Sequence, residues 1–157
     1  VIVVRFTEDL AIFEDWLREL IQMHFSPSWE HYPLNISTHV QTPYGRECDL
    51  IISNKKGTSV LCELKDWTVK DTLQQVIVRR PCFDFAYAVI NQPTYQILNM
   101  LRKMGKERLE RILSLGIGII SSRDNVILVR SYRIKKHAKE LIPIIDEILK
   151  SETESAS

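Results

Sequence analysis

Two runs rich in β-branched and aliphatic residues, Cys48-Asp-Leu-Ile-Ile-Ser53 and Thr58-Ser-Val-Leu-Cys-Glu-Leu-Lys65, are separated only by Asn54-Lys55-Lys56-Gly57. So short a connection between two strand-like runs predicts a β-hairpin. A three-residue hairpin loop commonly uses a type I turn followed by a residue at positive φ, and Gly57 stands at that third position. The turn sets the register. With Asn54 facing Thr58, Ile52 pairs with Val60, Leu50 with Cys62, and Asp49 with Glu63.

Directly opposed residues of an antiparallel pair have Cβ atoms roughly 4.5 to 5.5 Å apart, so Asp49 and Glu63 repel each other unless positive charge lies between them. A divalent cation suits that place. Mg²⁺ and Mn²⁺ prefer carboxylate and carbonyl oxygen and keep several waters, one of which can become a nucleophile. Period-two alternation puts Lys65 on the face of Glu63, and Glu47 on that of Asp49. The plainer reading of Asp49, Glu63 and Lys65 is an exposed ion-pair cluster at a strand end. Against it, Ile51 and Leu61 share their face, which sets the carboxylates at the margin of a buried surface. The opposite face carries Leu50, Ile52, Val60, Cys62 and Leu64, an apolar surface that predicts a covering helix.

Around this hairpin, Glu8 to Phe25 places Leu10, Phe13, Leu17, Leu20 and Ile21 on one stripe, predicting an amphipathic helix with Thr7 as N-cap and a stop at Ser26-Pro27. A strand follows at 34–41, then turn residues Pro43-Tyr44-Gly45. Beyond the hairpin the pattern predicts a helix over 69–80 ending before Pro81, a strand over 83–90, and a helical stretch over 94–115 interrupted near Gly105. Strands over 116–120 and 126–129 flank the turn-forming Asp124-Asn125. A last amphipathic helix carries Ala138, Leu141, Ile145 and Ile148, with Pro143 inside it. The Ser/Glu-rich end, 151–157, has nothing apolar to bury and is expected to be disordered, leaving 1–150 as one domain. This order of elements suits an α/β fold with a mixed sheet covered by helices on both faces.

A chain of 157 residues, 45% hydrophobic and with formal charge +1, does not coat nucleic acid through bulk positive charge. Local basic surfaces are candidates instead: Lys70, Arg79 and Arg80; Arg102, Lys103, Lys106, Arg108 and Arg111; and Arg133, Lys135, Lys136 and Lys139. No stretch is long and apolar enough to span a bilayer, and Val1-Ile2-Val3-Val4 is too short for a signal peptide, so a cytoplasmic protein is expected. Cys48, Cys62 and Cys82 lack C-x-x-C spacing and read as reduced packing residues. His24, His31, His39 and His137 have no zinc-site spacing, and neither a phosphate-binding Gly-rich loop nor a nucleophilic-serine elbow is present. Trp16, Trp29 and Trp67 read as core or edge residues, with base stacking a further role for Trp67.

The run Gly45-Arg-Glu-Cys-Asp49-Leu-Ile-Ile, followed by Val60-Leu-Cys-Glu63-Leu-Lys65, a helix containing Gln74-Gln75 and the strand after it, resembles the PD-(D/E)XK nuclease superfamily. That superfamily includes restriction endonucleases, Holliday-junction resolvases and RecB-type nuclease domains. The resemblance covers mainly residues 44–90 and implies a restriction-endonuclease-like α-β-β-β-α-β core. Asp49 takes the place of the motif's first acid, Glu63 of its second, and Lys65 of its lysine. Leu64, through its backbone carbonyl, becomes a further metal ligand. Cys48 stands where the name-giving proline would be, which removes no ligand. Glu47 becomes an extra ligand or a general base, Gln75 (or Gln74) a helix residue facing the site, and Glu14 and Glu19 lesser candidates for an acid from the first helix.

The activity so implied is Mg²⁺-dependent hydrolysis of a phosphodiester in nucleic acid, DNA ahead of RNA, with Mn²⁺ as substitute. Lys65 then stabilises charge on the phosphate or orients the attacking water. Lys70, Arg79 and Arg80 become candidate nucleic-acid contacts. A homodimer or a larger DNA-processing assembly is compatible with this reading. Two alternatives stand beside it: a catalytically silent nuclease-fold module that binds nucleic acid or protein, and a nuclease active only within a larger complex.

Overall fold

The computed structural model describes the chain apart from Phe6, residues 26–32, residues 42–46, Trp67, residues 135–137 and Ser157. The expected stop at Ser26-Pro27 and turn at Pro43-Tyr44-Gly45, with Trp29, His31, Trp67, Lys135, Lys136 and His137, therefore lie outside the described residues. Strand β1 (Ile2–Val4) and a 3-10 segment (Thr7–Ile12) precede helix α1 (Asp15–Phe25) and strands β2 (Leu34–Gln41), β3 (Glu47–Ser53) and β4 (Ser59–Lys65). Helix α2 (Val69–Arg79), strand β5 (Phe85–Ile90), helices α3 (Thr94–Met104) and α4 (Lys106–Leu113), strands β6 (Ile117–Ser121) and β7 (Val126–Val129) and helix α5 (Ala138–Ala156) complete it. The order α1-β2-β3-β4-α2-β5 is the expected α-β-β-β-α-β succession.

All seven strands form one mixed sheet in sequence order. β1, β2, β3 and β4 alternate in direction, each antiparallel to the next, β4, β5 and β6 are mutually parallel, and β7 turns back antiparallel to β6. The two parallel joins are crossovers through α2 and through α3 and α4, the connection that parallel neighbours require. Helices cover both faces, so the chain is an α/β protein of the expected class. One face packs Leu61, Ala86, Ala88, Ile90, Ile117 and Ile119 against α2 to α5. The other packs Ile52, Val60, Cys62, Tyr87, Val89 and Ile120 against α1. Gly118 sits where a Cβ would fall 2.3 Å from the Tyr87 ring, so only glycine lets that ring lie flat on β6.

Three features depart from the sequence pattern. β1 was not foreseen, because three residues carry no periodicity; it forms because β2 offers a ladder, pairing Ile2 with Ile36. The continuous first helix is instead a 3-10 turn followed by α1. The helix restarts because the Trp16 N–H donates to Asn125 Oδ1 at 2.9 Å, a cap supplied by the β6–β7 turn. The same turn serves α3, whose Thr94 N–H donates to Asp124 Oδ2 at 2.7 Å. Finally, α5 continues through Ala156, so the segment 151–156 expected to be disordered is helical. Propagation adds residues cheaply to a helix already seated by buried Leu141, Ile145 and Ile148.

Arg80, expected on a basic surface, is 1% exposed. Its guanidinium donates to the carbonyls of Leu115 (2.8 Å), Phe83, Asp84 (3.0 Å) and Tyr132 (3.0 Å). These bonds tie the end of α2 to the loop before β6 and the segment after β7, which rules Arg80 out as a nucleic-acid contact. Burying a charge is tolerable only when its donors are matched this fully. Arg80→Ala should lower the unfolding free energy by on the order of 3 kcal/mol, read from urea denaturation of the two proteins.

Candidate active site

The hairpin turn is the one the sequence dictates. Gly57 adopts φ 87°, its N–H donates to Asn54 O, and the Asn54 side chain accepts from the Thr58 N–H. The β3–β4 ladder follows in the expected register, Ile52 with Val60 and Leu50 with Cys62. There it ends, and polar contacts replace it. Asp49 Oδ2 accepts from the Leu64 N–H at 2.9 Å, and Glu63 Oε1 accepts weakly from the Asp49 N–H at 3.4 Å. On the far side of β3, His39 holds a left-handed φ of 54° and its Nδ1 lies 3.1 Å from Glu47 Oε1.

Glu63 is 1% exposed, an unusual position for a carboxylate. Leu61, on the same side of β4, belongs to the core under α2, which is why Glu63 is drawn inward rather than left at a wet edge. Burial, then the Asp49 carboxyl beside it, push the Glu63 carboxyl up to about 8, with the Arg79 guanidinium pulling the other way. Arg79 Nε lies 3.2 Å from Glu63 Oε1, whereas Glu63 Oε2 is buried with no hydrogen-bond partner. An orphaned carboxylate oxygen beside a second carboxylate is a costly arrangement unless a cation or proton joins them. Cys48 packs into the same core, where burial pushes its thiol up to about 11, leaving it an inert neighbour.

The remaining sequence candidates fall around this pair. Lys65 lies two residues beyond Glu63 but makes no ion pair with either acid; the cation expected alongside the carboxylates is supplied by Arg79 instead. Lys65 lines a cleft of about 540 Å³ with Leu64, Asp66, Asn91, Ser122 and Glu14. This cleft opens at the carboxyl ends of β4, β5 and β6, the place where ligands bind in open α/β sheets. Leu64, expected to pack under a covering helix, is 37% exposed because α1 leaves this end of β4 open. Glu14 reaches the cleft just ahead of α1, accepting from the Trp16 indole N–H, while Glu19 is exposed on α1.

Glu47 is exposed, and its backbone carbonyl accepts from Arg79 Nε at 2.8 Å. Gln75 is half-buried one turn before Arg79, its carbonyl accepting from Arg79 Nη1 at 2.9 Å. Lys70 is exposed in the first turn of α2. Arg79, expected on an open basic surface, is only 12% exposed and belongs to the acidic centre. Its spacing of four from Gln75 was the one sequence signal that both share a helix stripe.

Among the described residues, no three His, Cys, Asp or Glu side chains gather into a metal-binding group. The set at hand is two carboxylates, one with an unused buried oxygen. That fits a hard divalent ion that keeps several waters, and not a structural zinc site. The raised Glu63 pKa also has a consequence for the metal-free protein. In the folded state Glu63 keeps its proton above the usual 4.5 and releases it near 8, so its stabilising contribution is complete below about 4.5 and is lost as pH rises through about 8. Urea midpoints measured in EDTA should fall across that window, and Glu63→Gln should flatten the decline; an unchanged slope in the variant would show that the titration belongs elsewhere.

No known protein family matches the chain, and no curated protein does. Among solved structures the chain is similar to the SPO1766 protein of unknown function from Silicibacter pomeroyi, at 12% identity over 78% of this chain and 77% of that one, with a TM-score of 0.40. So slight a likeness bears on neither chemistry nor partners. No helix among the described residues is long and apolar enough to cross a membrane.

Proposed function

We propose that this chain is a divalent-metal-dependent nuclease of the PD-(D/E)XK kind, hydrolysing phosphodiester bonds in nucleic acid, DNA ahead of RNA. The observation that carries this reading is the buried, unpartnered Glu63 Oε2 beside Asp49, at the end of β4 that borders the cleft. Asp49, Glu63 Oε2 and the Leu64 carbonyl would hold a Mg²⁺ ion. When bound, the ion lowers the pKa of a coordinated water and offsets charge developing on the phosphate.

The chain's own residues supply the rest. Lys65 sets a positive charge at the rim of the cleft, where it would hold a phosphate oxygen. Leu64 N–H orients Asp49 through Oδ2, so that this carboxylate is not free to turn away. Glu47, exposed at the start of β3, would be the candidate to accept a proton from an attacking water. Gln75, four residues before Arg79 on α2, would face the site from the same stripe.

One observation favours a second reading, that of a catalytically silent module. Arg79 already lies 3.2 Å from Glu63, so an internal guanidinium partly occupies the role of the cation. The two readings separate cleanly by experiment. With Mg²⁺ or Mn²⁺ and a panel of double-stranded, single-stranded and branched DNA and RNA, the enzyme should cleave at least one member. Asp49→Ala, Glu63→Ala and Lys65→Ala should each lower the rate by roughly 100-fold or more without unfolding the chain, as should EDTA. Retention of cleavage by any of the three variants would sink the assignment, and absence of cleavage with unimpaired nucleic-acid binding would establish the silent module.

A further inference from the structure

Arg79 is placed by bonds that do not involve the acids at all. Its Nε–H donates to Glu47 O on β3 at 2.8 Å and its Nη1 to Gln75 O on its own helix at 2.9 Å, so two main-chain carbonyls on different elements fix the guanidinium plane. The charge is thereby set 3.2 Å from Glu63 Oε1 and leaves Oε2 without a partner. The same contact reaches the other acid through the backbone. Because the β3–β4 ladder stops at Leu50 and Cys62, Asp49 lies beyond it, and the strand end that carries it is tied to α2 by the Arg79–Glu47 bond. A single side chain thus touches Glu63 directly and the strand that carries Asp49 through Glu47.

From this geometry we propose that Arg79 is a positioning residue for the centre: it anchors Glu63 by Oε1 and the Asp49 strand by Glu47 O, and so presents Glu63 Oε2 and Asp49 to one cation. The inference rests on the metal-dependent reading above and adds to it the group that builds the site. It also fixes a sign that distinguishes it from simple electrostatics. A positive charge beside a cation site repels the cation, so removing it should tighten binding if charge alone matters. If Arg79 instead orders the ligands, removing it weakens binding, because the carboxylates must then be ordered at the moment the ion binds. Lysine at the same position keeps the charge but lacks the planar fork that reaches two carbonyls at once.

The test is Mn²⁺ binding followed by electron paramagnetic resonance and calorimetry on the wild type, Asp49→Asn, Arg79→Met and Arg79→Lys, with thermal unfolding in EDTA to establish that each is folded. The wild type should bind one Mn²⁺ in a manner abolished by Asp49→Asn. Arg79→Met should weaken that binding at least tenfold, and Arg79→Lys should recover only part of the loss. Equal or tighter binding in Arg79→Met, with the wild type behaving as stated, overturns the positioning role alone. Absence of any Asp49-dependent Mn²⁺ in the wild type overturns the metal reading and this inference together. If Arg79→Met does not fold, full wild-type affinity in a folded Arg79→Lys overturns the role, since that variant lacks the two-carbonyl anchor.

Discussion

The register of one hairpin governs everything else that the site depends on. A glycine at φ 87° is the last residue of the three-residue loop, and the pairing of Ile52 with Val60 and Leu50 with Cys62 follows from it. A slip of one residue would carry Leu61 to the α1 face and Glu63 with it. It would then leave the carboxylate under a different helix, away from Arg79. Because both faces of this sheet are covered, such a slip would bury the wrong set of side chains on each, so core packing and site geometry enforce the same register.

The sheet changes character at β4, and the cleft is the result. Up to that strand the chain returns by short turns; after it, helices must cross over to start each parallel strand. The carboxyl ends of β4, β5 and β6 therefore lie together and border the cleft that Lys65 lines. The Asp124-Asn125 turn closes the far side by capping two helices at once, α1 through Trp16 and α3 through Thr94. The first of these bonds joins residues 109 positions apart, and neither partner looks unusual in its own neighbourhood.

Arg79 and Arg80 show how far local pattern reaches. As text they are one basic pair at the end of a helix. On the helix they point about 100° apart, and that rotation sends Arg79 to the acids and Arg80 into a cage of carbonyls. The hairpin with its register up to Leu50 and Cys62 and the helices α2 to α5 around it were legible, since alternation and turn chemistry are encoded within a few residues. The break before α1, the pairing of β1, the helical end of α5 and the partner of Glu63 were not, because each depends on a distant strand, turn or core.

What the sequence determined by itself was therefore the local geometry: a hairpin of defined register, with two acids at its open end and a lysine on the same strand. Tertiary structure alone decided how those acids are solvated. The packing of α2 over Leu61 removes Glu63 from water, and the exposed end of β4 leaves Lys65 in a cleft rather than between the carboxylates. The physical reason is that strand pairing is written in neighbouring residues, whereas the free energy of a charged group is set by every element that displaces water around it.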